Sequence, residues 1–277
     1  MTTLTTPRPT VETSARFRDL LTSEWIKLCS LRSTYWVLGL GALTMIGLNV
    51  NGAIADYQNW PTYSAATRTN FDPLHDAFSH SSYLLLMLAA GSIGAITIVS
   101  EYASGLIRTT FAAVPARREL VAAKVIVVTV VMLVIGTIIA VASFAITQAI
   151  LSRRHAGWSI GHPAALQALT VSALLAPVCA LVGMGIGALI RHTATTIVTV
   201  IVGLDLLPQF FNSHRHHWVA DIGNAMPISG WERLVSPFSE GGNPYQQPTF
   251  TGAWIVYAAW PLTAVILALI AVHRRDV

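Results

Sequence analysis

Lysine is almost missing from this 277-residue chain: only Lys27 and Lys124 occur. Neither follows a glycine, so there is no Walker A phosphate loop, and the chain does not bind ATP by that route. Cysteine is equally rare. Cys29 and Cys179 are too few for a disulfide framework or a multi-cysteine zinc site. Charge of either sign is scarce, with 17 basic and 13 acidic residues making up 11% of the chain. An ordinary soluble domain carries about 25%. With 53% hydrophobic residues and a mean hydropathy of +0.58, this composition disfavours a soluble globular protein and a disordered one, and favours a polytopic membrane protein. No G-x-S-x-G elbow, no H-E-x-x-H and no pair of intramembrane acids occurs, which leaves hydrolase chemistry without support. No N-x-Ser/Thr sequon occurs, and arginine outnumbers lysine 15 to 2, which fits a bacterial chain from a GC-rich genome. No repeat of 20–50 residues is found.

What the chain does have is long apolar runs. Residues 33–55, 77–100, 125–152, 155–190 and 241–273 contain no Asp, Glu, Lys or Arg, and 192–214 contains only Asp205. Each supplies the roughly 20 apolar residues needed to cross a hydrocarbon core. The spans read as about 35–55, 82–100, 122–150, 166–190, 194–212 and 252–272. Within 155–190, the stretch Trp158 to Pro163 reads as a turn, with Pro163 opening a helix. Six spans put both termini on one side. If that side is the cytoplasm, basic residues divide twelve inside to five outside, which supports both ends inside. Arg153 and Arg154, in a short outer loop, run against the rule.

The expected fold class is therefore all-α: a polytopic integral membrane protein with six transmembrane helices. Residues 1–14, rich in Thr and Pro, read as a disordered cytoplasmic tail. Residues 15–34 read as an amphipathic interfacial helix, and 35–277 as the membrane domain. In that helix Phe17, Leu20, Leu21, Trp25, Leu28 and Leu31 fall at helical spacing. Arg16, Arg18, Asp19, Ser23, Lys27 and Ser30 take the other face. The polar segments 56–81 and 213–250 read as extracellular, and 101–121 as a cytoplasmic loop.

The stretch 100–124 is the most informative. It carries Glu101, Arg108, Arg117, Arg118, Glu119 and Lys124, punctuated by Gly105 and Pro115. From charge alone it is either an ordinary basic inner loop or a docking surface for a cytoplasmic partner. It resembles the type 2 ABC exporter permeases, in the small six-span form common in actinobacteria. The matching residues are Glu101, Tyr102, Gly105, Ile107, Arg108, Thr109, Thr110, Pro115, Arg117 and Lys124. The stretches Ser23 to Leu28, Ser30 to Trp36, Gly185 to Thr193 and Arg274 to Val277 resemble the same family, in the same order. The sequence departs from the pattern at Ala103, where the family often has arginine.

That resemblance implies a half-transporter that is not itself an enzyme. Two six-span permeases, copies or paralogues, would pair in a bacterial cell membrane. Each would dock a separate cytoplasmic ATPase, giving two ATPase subunits per complex, and ATP and Mg would be bound there and not in this chain. The resemblance places docking and coupling at Glu24, Trp25, Lys27, Glu101, Tyr102, Gly105, Arg108, Arg117 and Arg118. The implied cargo is a drug, lipid or peptide. Membrane lipids are further partners, and nucleic acid is not one.

Asp205 is the one acid inside a span, where a carboxylate costs roughly 2.5–3.5 kcal/mol. With Gln209 and Asn212 it gives the fifth span a polar, breakable face that could line a transport path. A proton-coupled transporter using Asp205 is the rival reading. Gly183-Met184-Gly185-Ile186-Gly187-Ala188 matches G-x-G-x-x-A, but its flanks are membrane-length helix and not a βαβ unit. Gly183 and Gly187, with Gly91 and Gly94 in the second span, instead suit close helix packing. His214, His216 and His217 invite a metal-handling role, but their spacing matches no i, i+4 ligand pair, and no metal site is expected.

Overall fold

The computed structural model describes residues 16–30, 32–103, 117–211, 217–236 and 248–274. Among these, every regular element is helical. Chain order gives α1 (Phe17–Ser30), α2 (Arg32–Asn59), α3 (Ala65–Thr69), α4 (Leu74–Ala77) and α5 (His80–Ala103). Then follow α6 (Arg117–Ser152), α7 (Pro163–Ile190), α8 (Thr193–Ile201), a π-helical turn (Val202–Leu206) and α9 (Leu207–Phe210). The last three are α10 (His217–Asn224), α11 (Pro227–Val235) and α12 (Phe250–Arg274). Six stretches are long and apolar enough to cross a membrane: Thr34–Thr62, Leu74–Ala103, Arg118–Ser152, Pro163–Ile190, Thr193–Phe210 and Phe250–Val272. The chain is an all-α, multi-pass membrane protein.

Two boundaries differ from the sequence reading. Residues 32–34 belong to α2, the first spanning helix, and not to the interfacial helix. The first outer segment, read as starting at residue 56, is still helical through Asn59, where a 3₁₀ turn with Pro61 follows. Proline at the first positions of a turn lacks only an N–H that would be unsatisfied there anyway.

The centre of the bundle is α7. About 67% of its most apolar window is buried, against 17% for the first and fifth spans. Small residues make this possible. Gly183 of α7 lies against the backbone of Gly91 on α5, and Gly94 of α5 against the backbone of Ala180. A methyl group at either position would collide with a carbonyl. Gly187 meets Ala95 of α5, and Gly185 meets Ala264 on α12, so two faces of one helix are closely approached. Pro177, inside α7, has no N–H to return to the carbonyl of Ala173, and that carbonyl faces Gly136 on α6.

The helix ends follow from local chemistry. Pro163 opens α7, and Arg191 ends it in the left-handed region (φ 60°), with its N–H donating to Gly187 O at 2.9 Å. His192 then caps α8, so only two residues separate these helices. Within the fifth span, the π turn precedes Pro208. The wider turn accommodates a ring that would otherwise press on the carbonyl four residues back.

Polar ties secure the end remote from α1. The buried Asn49 side chain donates to Ser143 Oγ (3.0 Å) and accepts from Ser79 Oγ (2.7 Å) and Ser82 Oγ (2.6 Å), joining α2, α5 and α6. Arg154, half of the pair that ran against the charge rule, has its guanidinium 4.4 Å from the centre of the Tyr57 ring.

If the α5–α7 contact sets the bundle, Gly183→Val and Gly94→Val should each lower thermal stability in detergent, by about 1–3 kcal/mol or more. Gly39→Ala and Gly203→Ala, where an added methyl meets nothing within 4 Å, should not. Equal melting curves for all four variants would remove the close packing from the account.

Candidate functional site

The helix α1 starts with Asp19 turning back to accept from the Arg16 N–H at 3.1 Å, a local N-terminal brace. Its Leu20 packs with Leu120 and Ala123 of α6. Phe17, Trp25 and Ile26 remain exposed, as suits a helix lying at a membrane surface. The inward face is not the purely apolar one read from the sequence. Glu24 is buried, and Lys27, assigned there to the outer polar face, reaches inward. The reason is an ionic partner on another helix, which sequence periodicity does not register.

Four charged groups meet where α1 crosses the ends of α5 and α6. Lys27 Nζ donates to Glu24 Oε1 (2.7 Å) and to Glu101 Oε1 (2.9 Å). Lys124 Nζ donates to Glu24 Oε2 (2.5 Å) and to Glu101 Oε1 (3.0 Å). Glu24, Glu101 and Lys124 are buried, whereas the Lys27 side chain is 45% exposed. Among the described residues, two ammoniums face two carboxylates, so the charges of these four groups balance. Each carboxylate bridges both lysines, which compensates the desolvation that a single pair would leave unpaid. For Lys27, partial burial pulls the ammonium pKa down, but the hydrogen bonds to Glu24 and Glu101 outweigh it and hold the value above 10.5.

Beside the cluster lies a cavity of about 570 Å³. The four charged residues form its polar end, and Val37, Ile93, Ile96 and Val127 are among its apolar walls.

Of the other residues singled out in the sequence, Trp25 is exposed on α1, and Tyr102 carries the Arg191 guanidinium 4.5 Å from its ring centre. Arg191 also donates to Ala271 O (3.2 Å), linking the same ends of α5, α7 and α12. Arg118 is exposed in the first turn of α6, and Arg117 is the first residue of that helix. Gly105, Arg108, Asn212, His214 and His216 lie outside the described residues, and His217 opens α10. Asp205 sits in the π turn, half-buried, and accepts from Gln209 Nε2 at 2.7 Å. Gly91 and Gly94 meet α7, at Gly183 and Ala180. Lys124 had been noted only as part of a motif, and Arg191 likewise. The available signal was scarcity: both lysines of the chain are in this one cluster.

A protein-family model described as "ABC-2 family transporter protein" matches residues 20–204, more than half of the chain and all of the cluster. The chain belongs to the ABC-2 transporter family. It is thus a membrane-spanning permease of an ABC transporter, the transmembrane component and not the ATPase, and such a permease works with an ATP-binding subunit. No curated protein sequence matches this one.

Lys124→Met should leave two buried carboxylates short of a partner and cost about 3–5 kcal/mol in detergent. The reversed pair Glu24→Lys with Lys124→Glu should recover part of the loss. A Lys124→Met protein as stable as the parent would show that the cluster does not hold α1. The raised Lys27 pKa has a definite sign: its contribution is complete below pH 10.5 and is lost as pH rises through the higher folded value. Alkaline titration followed by Trp25 fluorescence should therefore show α1 releasing only above that pH, and Lys27→Gln should abolish the transition.

Proposed function

We propose that this permease is one half of an exporter in a bacterial cell membrane. In this reading both termini are cytoplasmic and the cargo is an amphipathic or hydrophobic drug, lipid or peptide. Two permeases, copies or paralogues, pair and engage two ATPase subunits that bind ATP and Mg. The cytoplasmic face is the α1 end, where the basic residues concentrate. The ATPase docks on α1, through residues such as Trp25, and on the segment that follows Tyr102, through Gly105, Arg108, Arg117 and Arg118.

The observation that supports this reading best is the four-group cluster. It fixes α1 to the end of α5 and the start of α6, the two helices that flank the segment 104–116. A push on that segment or on α1 therefore reaches two spanning helices through short ionic contacts. From Glu101 the movement passes along α5 to α7, against which α5 packs without side-chain slack where Gly94 meets Ala180 and Gly183 meets Gly91. This is a rigid lever of the kind that converts closure of a partner into helix movement. Asp205 is hydrogen-bonded to Gln209 and has no acidic companion among the contacts described, which favours a structural part over proton coupling.

The test uses the permease purified with its ATPase and reconstituted in vesicles. Arg108→Glu should insert normally yet reduce coupled ATP hydrolysis and transport by about 5- to 150-fold, the range of a coupling free energy of 1–3 kcal/mol. Asp205→Asn should leave ATP-driven transport unchanged. Full coupling in Arg108→Glu would move the docking site elsewhere, and loss of transport in Asp205→Asn with hydrolysis intact would revive the proton-driven reading.

A further inference from the structure

The cavity beside the ion-pair cluster has a shape and chemistry of its own. Its polar end is at Lys27, Glu24, Glu101 and Lys124, and its walls run down α5 as far as Ala89. From Glu101 to Ala89 is twelve residues of helix, or about 18 Å at 1.5 Å per residue. One leaflet of a bilayer is about 15 Å of hydrocarbon, half of the full core. The cavity therefore spans one leaflet, from headgroup level to about the midplane. Its volume of about 570 Å³ is that of a ligand site and not a packing defect.

It also opens sideways. Val37 of α2 and Ile96 of α5, which both line it, are 51% and 40% exposed, so the mouth lies between these helices and opens on the outside of the chain. At the polar end Lys27 alone, among the described members of the cluster, reaches the surface. Its ammonium has three N–H donors, and the two carboxylates take two of them. A cation at the surface, above an apolar slot one leaflet deep, complements an anionic head that carries a hydrocarbon chain.

We infer that this cavity binds an anionic phospholipid of the leaflet on the α1 side, with the phosphate at Lys27 and one acyl chain between α2 and α5. If that leaflet is the cytoplasmic one, as proposed above, it is also the leaflet in which anionic lipids concentrate. The site shares Lys27 with the helix on which the ATPase is proposed to dock, and it needs neither ATP nor cargo. The lipid would wedge α2 against α5 beside the cluster, so that membrane composition bears on the position of α1.

The experiment is photo-crosslinking on the purified full chain in vesicles of phosphatidylcholine doped with phosphatidylglycerol. A diazirine is carried on the acyl chain of one lipid or the other, and adducts are mapped by peptide mass spectrometry. Adducts on Val37, Ile93 or Ile96 should form about fivefold more with the phosphatidylglycerol probe. Ser92→Phe, which fills the cavity without touching the cluster, should remove those adducts while leaving the melting curve in place. Lys27→Gln should keep adducts but abolish the preference between lipids. Equal labelling by both probes in the parent would overturn the anionic site, as would adducts that persist in a folded Ser92→Phe protein. Competition by soluble glycerol phosphate as effective as by the lipid would make it a site for a free anion and overturn the lipid. None of these readouts depends on ATP, so failure here and failure of the exporter reading are separable.

Discussion

The α1 end of this protein depends on burying two carboxylates, Glu24 and Glu101, against the ammoniums of Lys124 and the half-exposed Lys27. A lone Glu24 or Lys124 at that depth would be expelled or neutralised, because transferring an unpaired ion out of water costs far more than a helix contact returns. Together they are tolerated, since each buried carboxylate meets two ammoniums. An arrangement of this kind adds little net stability over apolar packing of the same shape. What it adds is position. Ions 2.5–3.0 Å apart admit one register of α1 on α5 and α6, whereas leucines would admit several. For a helix that would otherwise slide on a membrane surface, one register is the useful property.

Further along α5 the packing is defined by removing side chains. At Gly94 and Gly183 the backbones of α5 and α7 come closer than any larger residue permits. The contact has no rotamers to absorb a displacement. By contrast α2 and the α8–α9 helix are little buried within this chain, so their faces are left for lipid or another chain. A stiff pair, α5 with α7, is thus flanked by helices whose contacts lie largely outside the subunit. The fifth span is further softened by its π turn at Val202–Leu206.

The sequence made the architecture legible because membrane solvent imposes a coarse rule. Five charge-free windows and one broken only by Asp205 had to become six helices, and even the turn before Pro163 followed from local chemistry. The cluster was legible only in pieces. Glu101 stood out by its place at the end of a span, and Glu24 and Lys27 by their motif, but nothing local assigned Lys124 to them. The pairs are 100 and 23 residues apart, and helical periodicity carries no information across that distance. Periodicity put Lys27 on the polar face, where its side chain is 45% exposed, but gave no sign of its partner Glu101 on another helix. It sorts residues by water and oil, and an ion whose partner waits on another helix obeys neither. The family match spans the cluster but does not assign its residues.

Lysine scarcity connects these points. Arginine serves fifteen positions in this chain, and lysine only two. Arginine presents a planar fork suited to carboxylates at a surface or to aromatic faces, as at Arg154 on Tyr57 and Arg191 on Tyr102. A compact ammonium with three rotatable donors can instead sit between two carboxylates without ordering a bulky plane in a buried site. Lys124 is buried, with its ammonium 2.5 Å from Glu24 and 3.0 Å from Glu101. An arginine in place of Lys124 would keep the charge and lose this geometry. The chemistry of the side chain, and not its sign alone, therefore accounts for where the two lysines are found.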